Sequence, residues 1–209
     1  GGSSSQILNL LIGFFTGVAS GAAVIVAQYY GARDAEDSSR SVHTAMILAI
    51  ASGAIMTVVG ILTAPVLLRI MATPEDTMAD SIVYMRWVYL AMIPGMVYNM
   101  GSAILRAVGD SKHPLYFLIA CCLINVVLDL LFVVTFNMGV AGAAVATALS
   151  QLLSAVMVCW FLARPKTEES VRLELSKLRT DWKLMRRTVH IGLPAGLQAV
   201  LYSISNMII

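Results

Sequence analysis

Charge is scarce in this chain. Asp, Glu, Lys and Arg make up 12% of its 209 residues, whereas a soluble domain carries about 25%. With hydrophobic residues at 58% and a mean hydropathy of +0.81, a water-facing surface is hard to build. A formal net charge of +2 and the lack of a basic patch interleaved with aromatics exclude nucleic acid as a partner. There is no GxSxG, no HExxH, no phosphate-binding loop and no paired carboxylates within one apolar segment, so nothing supports an enzyme. Cys121, Cys122 and Cys159 show no CxxC or Cys/His spacing. They read as small apolar packing residues rather than disulfide or metal ligands. No cofactor site is apparent.

Long apolar segments fill the space that charge leaves. They run from about Ser4 to Tyr30, Ser41 to Leu68, Ile82 to Leu105, Pro114 to Phe136 and Val140 to Ala163, with a sixth from near Thr188 to Ile209. About 20 apolar residues at ~1.5 Å per residue cross ~30 Å of hydrocarbon. No segment alternates polar and apolar with period two, and backbone groups in lipid must be satisfied within their own segment. The expected fold class is therefore all-α, a polytopic transmembrane helical bundle in a cell membrane with the lipid bilayer as its main partner. The N-terminus opens directly into an apolar run without a charged leader, and the C-terminus stops inside one. Both ends read as cuts in a longer protein.

Basic residues orient the bundle. The loops GARDAEDSSR and LRAVGDSKHP, and the stretch from Arg164 to Arg187, hold twelve of the fourteen Lys and Arg. These connections alternate along the chain, so they share one side, which the positive-inside rule makes cytoplasmic. Three units follow: a five-span bundle over 1–163, a cytoplasmic amphipathic linker over 164–187, and the start of a further span over 188–209. Within 167–187, Val171, Leu175, Leu178, Trp182 and Met185 form one helical stripe, which predicts an amphipathic surface helix or a linker between two halves. His43, His113 and His190 sit at segment ends and read as interfacial.

Glycine recurs every fourth residue at Gly13, Gly17 and Gly21, and again at Gly192 and Gly196. Small residues on one face let membrane helices approach closely. Pro94 and Pro194 each remove a backbone hydrogen bond and permit a kink.

Eleven of the twelve acidic residues lie in loops or at segment ends; Asp129 alone sits deep in an apolar span. A carboxylate there costs at least ~2.5 kcal/mol on insertion scales, so it carries a proton or is met by a cation. Asn125 is one helical turn earlier on the same face. Asp129 and Thr147 are equidistant from the FNMG turn, so Thr147 is expected at similar depth, with Gln151 one turn further. Oxygen ligands of this kind suit a hard cation such as Na⁺. The alternative is structural hydrogen bonding between helices, worth ~0.6 kcal/mol on average.

These strings have a family look. ILRAVGDSKHPLYF after YNMGSA resembles the LRxxGDxKxP signature of the multidrug and toxin extrusion family, and VAQYYGARD, NVVLDLLFV, GVAGAAVATALSQ and IGLPAGLQAVLYSISNMII resemble its second, fifth, sixth and seventh spans. The resemblance covers essentially the whole chain. It implies a twelve-helix fold in two pseudo-symmetric halves, of which this chain holds spans two to six and the start of span seven. It also implies antiport of organic, often cationic, compounds against Na⁺ or H⁺. Asn125, Asp129 and Thr147 match the family's cation-site positions, and Asn99 is the looser counterpart on span four. The family's span-one Asp has no counterpart here, and Asn206 is a weaker candidate in the mirrored position. The first span and most of the second half would be partners supplied by the rest of the protein. Two other readings compete: a lipid-linked oligosaccharide flippase of the same superfamily, and a non-transporting membrane scaffold.

Overall fold

The computed structural model describes residues 2–70, 74–179 and 181–209, with side chains from residue 9 onward except 207. Every described element is helical. In order they are α1 (Gly2–Gly31), α2 (Ala35–Ile70), α3 (Glu75–Leu90), α4 (Met92–Ala107), α5 (Lys112–Asp129), a π-helical segment (Leu130–Thr135), α6 (Val140–Ala163), a 3₁₀ turn (Leu175–Lys177) and α7 (Trp182–Ile208). Five stretches are long and apolar enough to cross a membrane: Asn9–Gly31, Ala35–Ile70, Glu75–Ala107, Lys112–Thr135 and Val140–Ala163. They carry the five complete segments read from the sequence, and α7 carries the sixth.

The turns follow from local chemistry. After α1 the chain reverses through Arg33 at φ 58°, and the Asp34 carboxylate accepts the Asp37 N–H at 3.1 Å, capping α2. After α4, Gly109 takes φ 93°, a conformation only glycine adopts cheaply. Asp110 then accepts the His113 N–H at 3.1 Å, and Pro114 falls in the first turn, where a missing N–H costs nothing. The GDSKHP string is thus a helix stop joined to a helix start. Gly109→Ala is expected to cost about 1–3 kcal/mol, the usual range for a strained backbone position, read as a lowered melting temperature of the full-length protein.

Pro94 acts as expected. It cannot donate to the carbonyl four residues earlier, at Leu90, and helix gives way to a turn at Ala91 between α3 and α4. Pro194 lies inside α7 without interrupting it.

The core lies where α1, α2, α4 and α6 meet, around Val26, Val42, Ala49, Met100, Ile104, Val158 and Leu162. A smaller cluster of Ala64, Leu68, Met85 and Tyr89 ties α2 to α3. Along α1 and α7 the recurrent glycines interlock. A Cβ on Gly17 would lie 2.5 Å from the Gly196 Cα, and one on Gly21 would lie 2.5 Å from the Gly192 Cα. The two backbones touch at these levels. By contrast α5 is peripheral: only Pro114 and Cys121 are buried on it, and none of the π segment is. Cys121 lies 3.4 Å from the Ser150 carbonyl of α6, Cys122 faces outward, and all three cysteines are free.

The three basic connections share one end of the bundle. The Tyr30 hydroxyl donates to Glu168 at 3.1 Å, the His113 ring lies 4.2 Å from Phe161, and the Arg164 guanidinium sits 3.9 Å over that same ring.

Two expectations fail at this end. The stretch 167–187 is not one amphipathic helix. Apart from the 3₁₀ turn its first part is irregular, and α7 already begins at Trp182 rather than near Thr188. The predicted stripe splits: Val171 is 3% exposed, whereas Leu175 is 87% and Trp182 75% exposed. The reason lies in the backbone partners. Leu173 donates its N–H to the Leu162 carbonyl at 3.0 Å, and Arg172 donates to the carbonyls of Pro165 and Thr167 at 2.9 and 2.7 Å. These tertiary bonds hold the strap against the bundle in a way a helix would forgo.

His43 is the second correction: it is not interfacial but 1% exposed. Its Nδ1 lies 2.7 Å from the Ser39 carbonyl, which can only accept. Its Nε2 accepts the Glu174 N–H at 3.0 Å. The two partners fix a neutral ring with the proton on Nδ1. His43→Leu is therefore expected to free residues 171–179, seen as faster proteolysis of that stretch. His43→Gln, which offers one donor and one acceptor, should retain protection. Equal cleavage of the two variants would show that ring packing alone holds the strap.

Candidate cation site in the α5–α6 hairpin

The polar groups singled out in the sequence fall in two clusters that meet at Thr147. In the first, the Asn125 side-chain amide donates to the Thr147 hydroxyl at 3.5 Å, and that hydroxyl donates to the Ala143 carbonyl at 3.1 Å. α5 and α6 can come this close because α6 is built of small residues at this level, in the run from Ala141 to Ala148. Asn125 is thus level with Thr147. Asp129 stands one turn nearer the hairpin tip. Its Oδ1 is shut from solvent and has no hydrogen-bond partner among the described residues. A buried carboxylate oxygen left unsatisfied costs free energy, which a proton or cation would recover.

Nothing in the sequence announced the π segment that starts right after Asp129. Leu130–Thr135 contains no Gly or Pro, the usual marks of a helix irregularity. Its Phe136 N–H bonds back to the Leu131 carbonyl at 2.9 Å, five residues away. Single π turns inside α-helices are concentrated at functional sites. Asp129 is the last α-helical residue before this widened turn.

The second cluster lines a cavity of about 300 Å³ between α1, α3, α4, α5 and α6. Asn99 of α4 and Thr147 and Gln151 of α6 present polar groups to it, beside Gly95 and Tyr98. A Cβ on Gly95 would lie 3.7 Å from the Gln151 side-chain oxygen, so the missing side chain leaves that oxygen room. Among the described residues, no Lys or Arg lines the cavity. Asn99, Thr147 and Gln151 are thus brought together, and Thr147 links them to Asn125. Asn206, on α7, is exposed and does not line this cavity. Among the described residues no group of three or more His, Cys, Asp or Glu could hold a metal ion. A cation here would depend on one carboxylate with neutral oxygens.

Comparison with known proteins places the chain in a family. The MatE family model matches residues 1–131. The probable multidrug resistance protein YoeA of Bacillus subtilis (strain 168) is 31% identical over 206 residues, covering 95% of this chain and 44% of that protein. A solved structure described as MATE in the bent conformation superposes with a TM-score of 0.87 at 25% identity, covering 96% of this chain and 45% of that one. A superfamily transporter from Pyrococcus furiosus, whose structure is reported with a reversed pocket polarity suggesting a different function, superposes with a TM-score of 0.83 at 26% identity, covering 96% and 44%. The chain spans a little under half the length of these relatives. A helix-only bundle of apolar spans, a matching family model over more than half its residues and this structural agreement together establish that the chain belongs to the MatE, or multidrug and toxin extrusion, family.

Proposed function

We propose that the protein to which this chain belongs is a secondary-active antiporter that exports organic, often cationic, compounds in exchange for Na⁺ or H⁺. One observation carries the coupling half of this reading: the buried, unpartnered Oδ1 of Asp129 beside the Asn125–Thr147 pair. Asp129 would hold the proton or cation. Asn125 and Thr147 would add neutral oxygens, and Asn99 and Gln151 would extend the polar surface into the adjoining cavity. The naming of relatives such as YoeA as multidrug resistance proteins supports drug export as the cargo half.

The alternative cargo is a lipid-linked oligosaccharide, as for a flippase of the same superfamily. Its anionic pyrophosphate would call for cationic side chains, and none of the described residues that line the cavity beside Asn99 is Lys or Arg. The test is uptake of a fluorescent organic cation into everted vesicles carrying the full-length protein. A proton or Na⁺ gradient should drive it. Transport indifferent to both gradients would refute antiport, and the gradient that drives it identifies the ion.

A further inference from the structure

α7 begins with a cationic stripe that the cation site does not use. Lys183, Arg186, Arg187 and His190 are spaced i, i+3, i+4 and i+7, so they share one helix face. All four are exposed. They line a cavity of about 510 Å³ together with Tyr29 of α1 and Arg40 of α2. The cavity's two carboxylates, Asp37 and Asp181, are both engaged by groups of the cavity wall. Asp37 pairs with Arg40 at 3.4 Å, and Asp181 caps α7 by accepting the N–H groups of Lys183 and Leu184 at 3.1 and 3.2 Å. Among the described residues, neither Lys183, Arg186 nor Arg187 has an ion-pair partner. Arg187 is nevertheless held in place. It donates to the Tyr29 hydroxyl at 2.7 Å and to the Gln28 side-chain oxygen at 3.1 Å.

The stripe gains nothing from its helix, because cations at an N-terminus oppose the macrodipole. Its height on α7 is informative. Trp182 stands exposed just before it, and exposed leucines follow at Leu193, Leu197 and Leu201, with Gln198 an exposed polar residue among them. Seven residues from Lys183 to His190 rise about 10 Å, comparable to the headgroup layer beside the hydrocarbon. Exposed Trp is typical of that boundary.

We infer that this face binds the phosphate of an anionic phospholipid, with Lys183 and Arg186 as mobile donors and Arg187 as the fixed one. Native mass spectrometry of the full-length protein tests this with phosphatidylglycerol and phosphatidylcholine of identical chains. The wild type should retain phosphatidylglycerol preferentially, and Lys183→Gln with Arg186→Gln should lower that preference by about fivefold per lost charge. Both side chains are exposed, so the variant should fold, and Lys183→Arg with Arg186→Lys should keep the preference. No preference in the wild type, or an unchanged one in the Gln variant, would overturn the inference. So would displacement of the lipid by millimolar inorganic phosphate, which would identify a soluble anion as the ligand. Transport is not measured, so failure of the antiporter reading leaves this test intact.

Discussion

Gly17→Ala is expected to destabilise the full-length protein by about 1–3 kcal/mol, the usual cost of forcing a methyl group into a closed contact. The new Cβ would stand 2.5 Å from both the Cα and the N of Gly196. These are backbone atoms of α7, so no side chain can rotate away, and the helices must separate. Separation also loosens Gly21 against Gly192, the next contact along the same crossing. Gly17→Ala combined with Gly21→Ala should therefore cost less than the sum of the single changes, since one displacement relieves both. Gly13 supplies the control. A Cβ there meets the Ala199 Cβ at 3.8 Å and the Ser203 Oγ at 4.0 Å, both ordinary contacts. Gly13→Ala should leave the melting temperature in detergent nearly unchanged. If Gly13→Ala and Gly17→Ala shift it equally, the crossing is not as drawn.

Asp129→Asn should abolish ion-driven efflux while leaving expression and melting temperature close to wild type. The exchange preserves shape and removes the ionisable group, so it separates coupling from packing. An amide is polar but uncharged, so it needs neither proton nor cation, and stability has little reason to fall. Thr147→Val should be milder. It deletes the group that receives Asn125 but leaves the carboxylate. Asp129→Leu distinguishes the scaffold reading, which expects the polar group to be dispensable. Retained efflux in Asp129→Asn, against either ion gradient, would refute the site.

Much of this was readable from residues. The spans follow from apolar length, and the polar layer follows from the rarity of a carboxylate such as Asp129 within them. The glycine register of α1 and α7 was legible as periodicity, although the partner of each glycine was not, because periodicity identifies a face and says nothing of what lies opposite. The LRAVGDSKHP string was legible as a family mark, and its physical content is a helix stop and a cap at Gly109 and Asp110. The irregular course of the strap after α6 was not legible. Its apolar residues happen to follow a helical period, but the bonds of Leu173 to Leu162 and of Glu174 to His43 join residues far apart in the chain. No local pattern encodes such bonds. His43 was misplaced for the same reason. Equidistance from the turn placed Thr147 level with Asp129; the hydrogen bond instead joins it to Asn125, one turn away. A count of residues assumes an even rise, and the segment Leu130–Thr135 does not have one.

That wide turn also bears on how the gene can change length. A π turn holds more residues than the α turn it replaces. Loss of one residue within 130–135 could be absorbed by reverting to α geometry, with the flanking faces keeping their aim. The same loss between Asn125 and Asp129 would swing one against the other by about 100°. The hairpin thus carries its spare length immediately beside its most exacting pair of side chains, so a one-codon deletion would be benign or ruinous according to which side of Asp129 it fell.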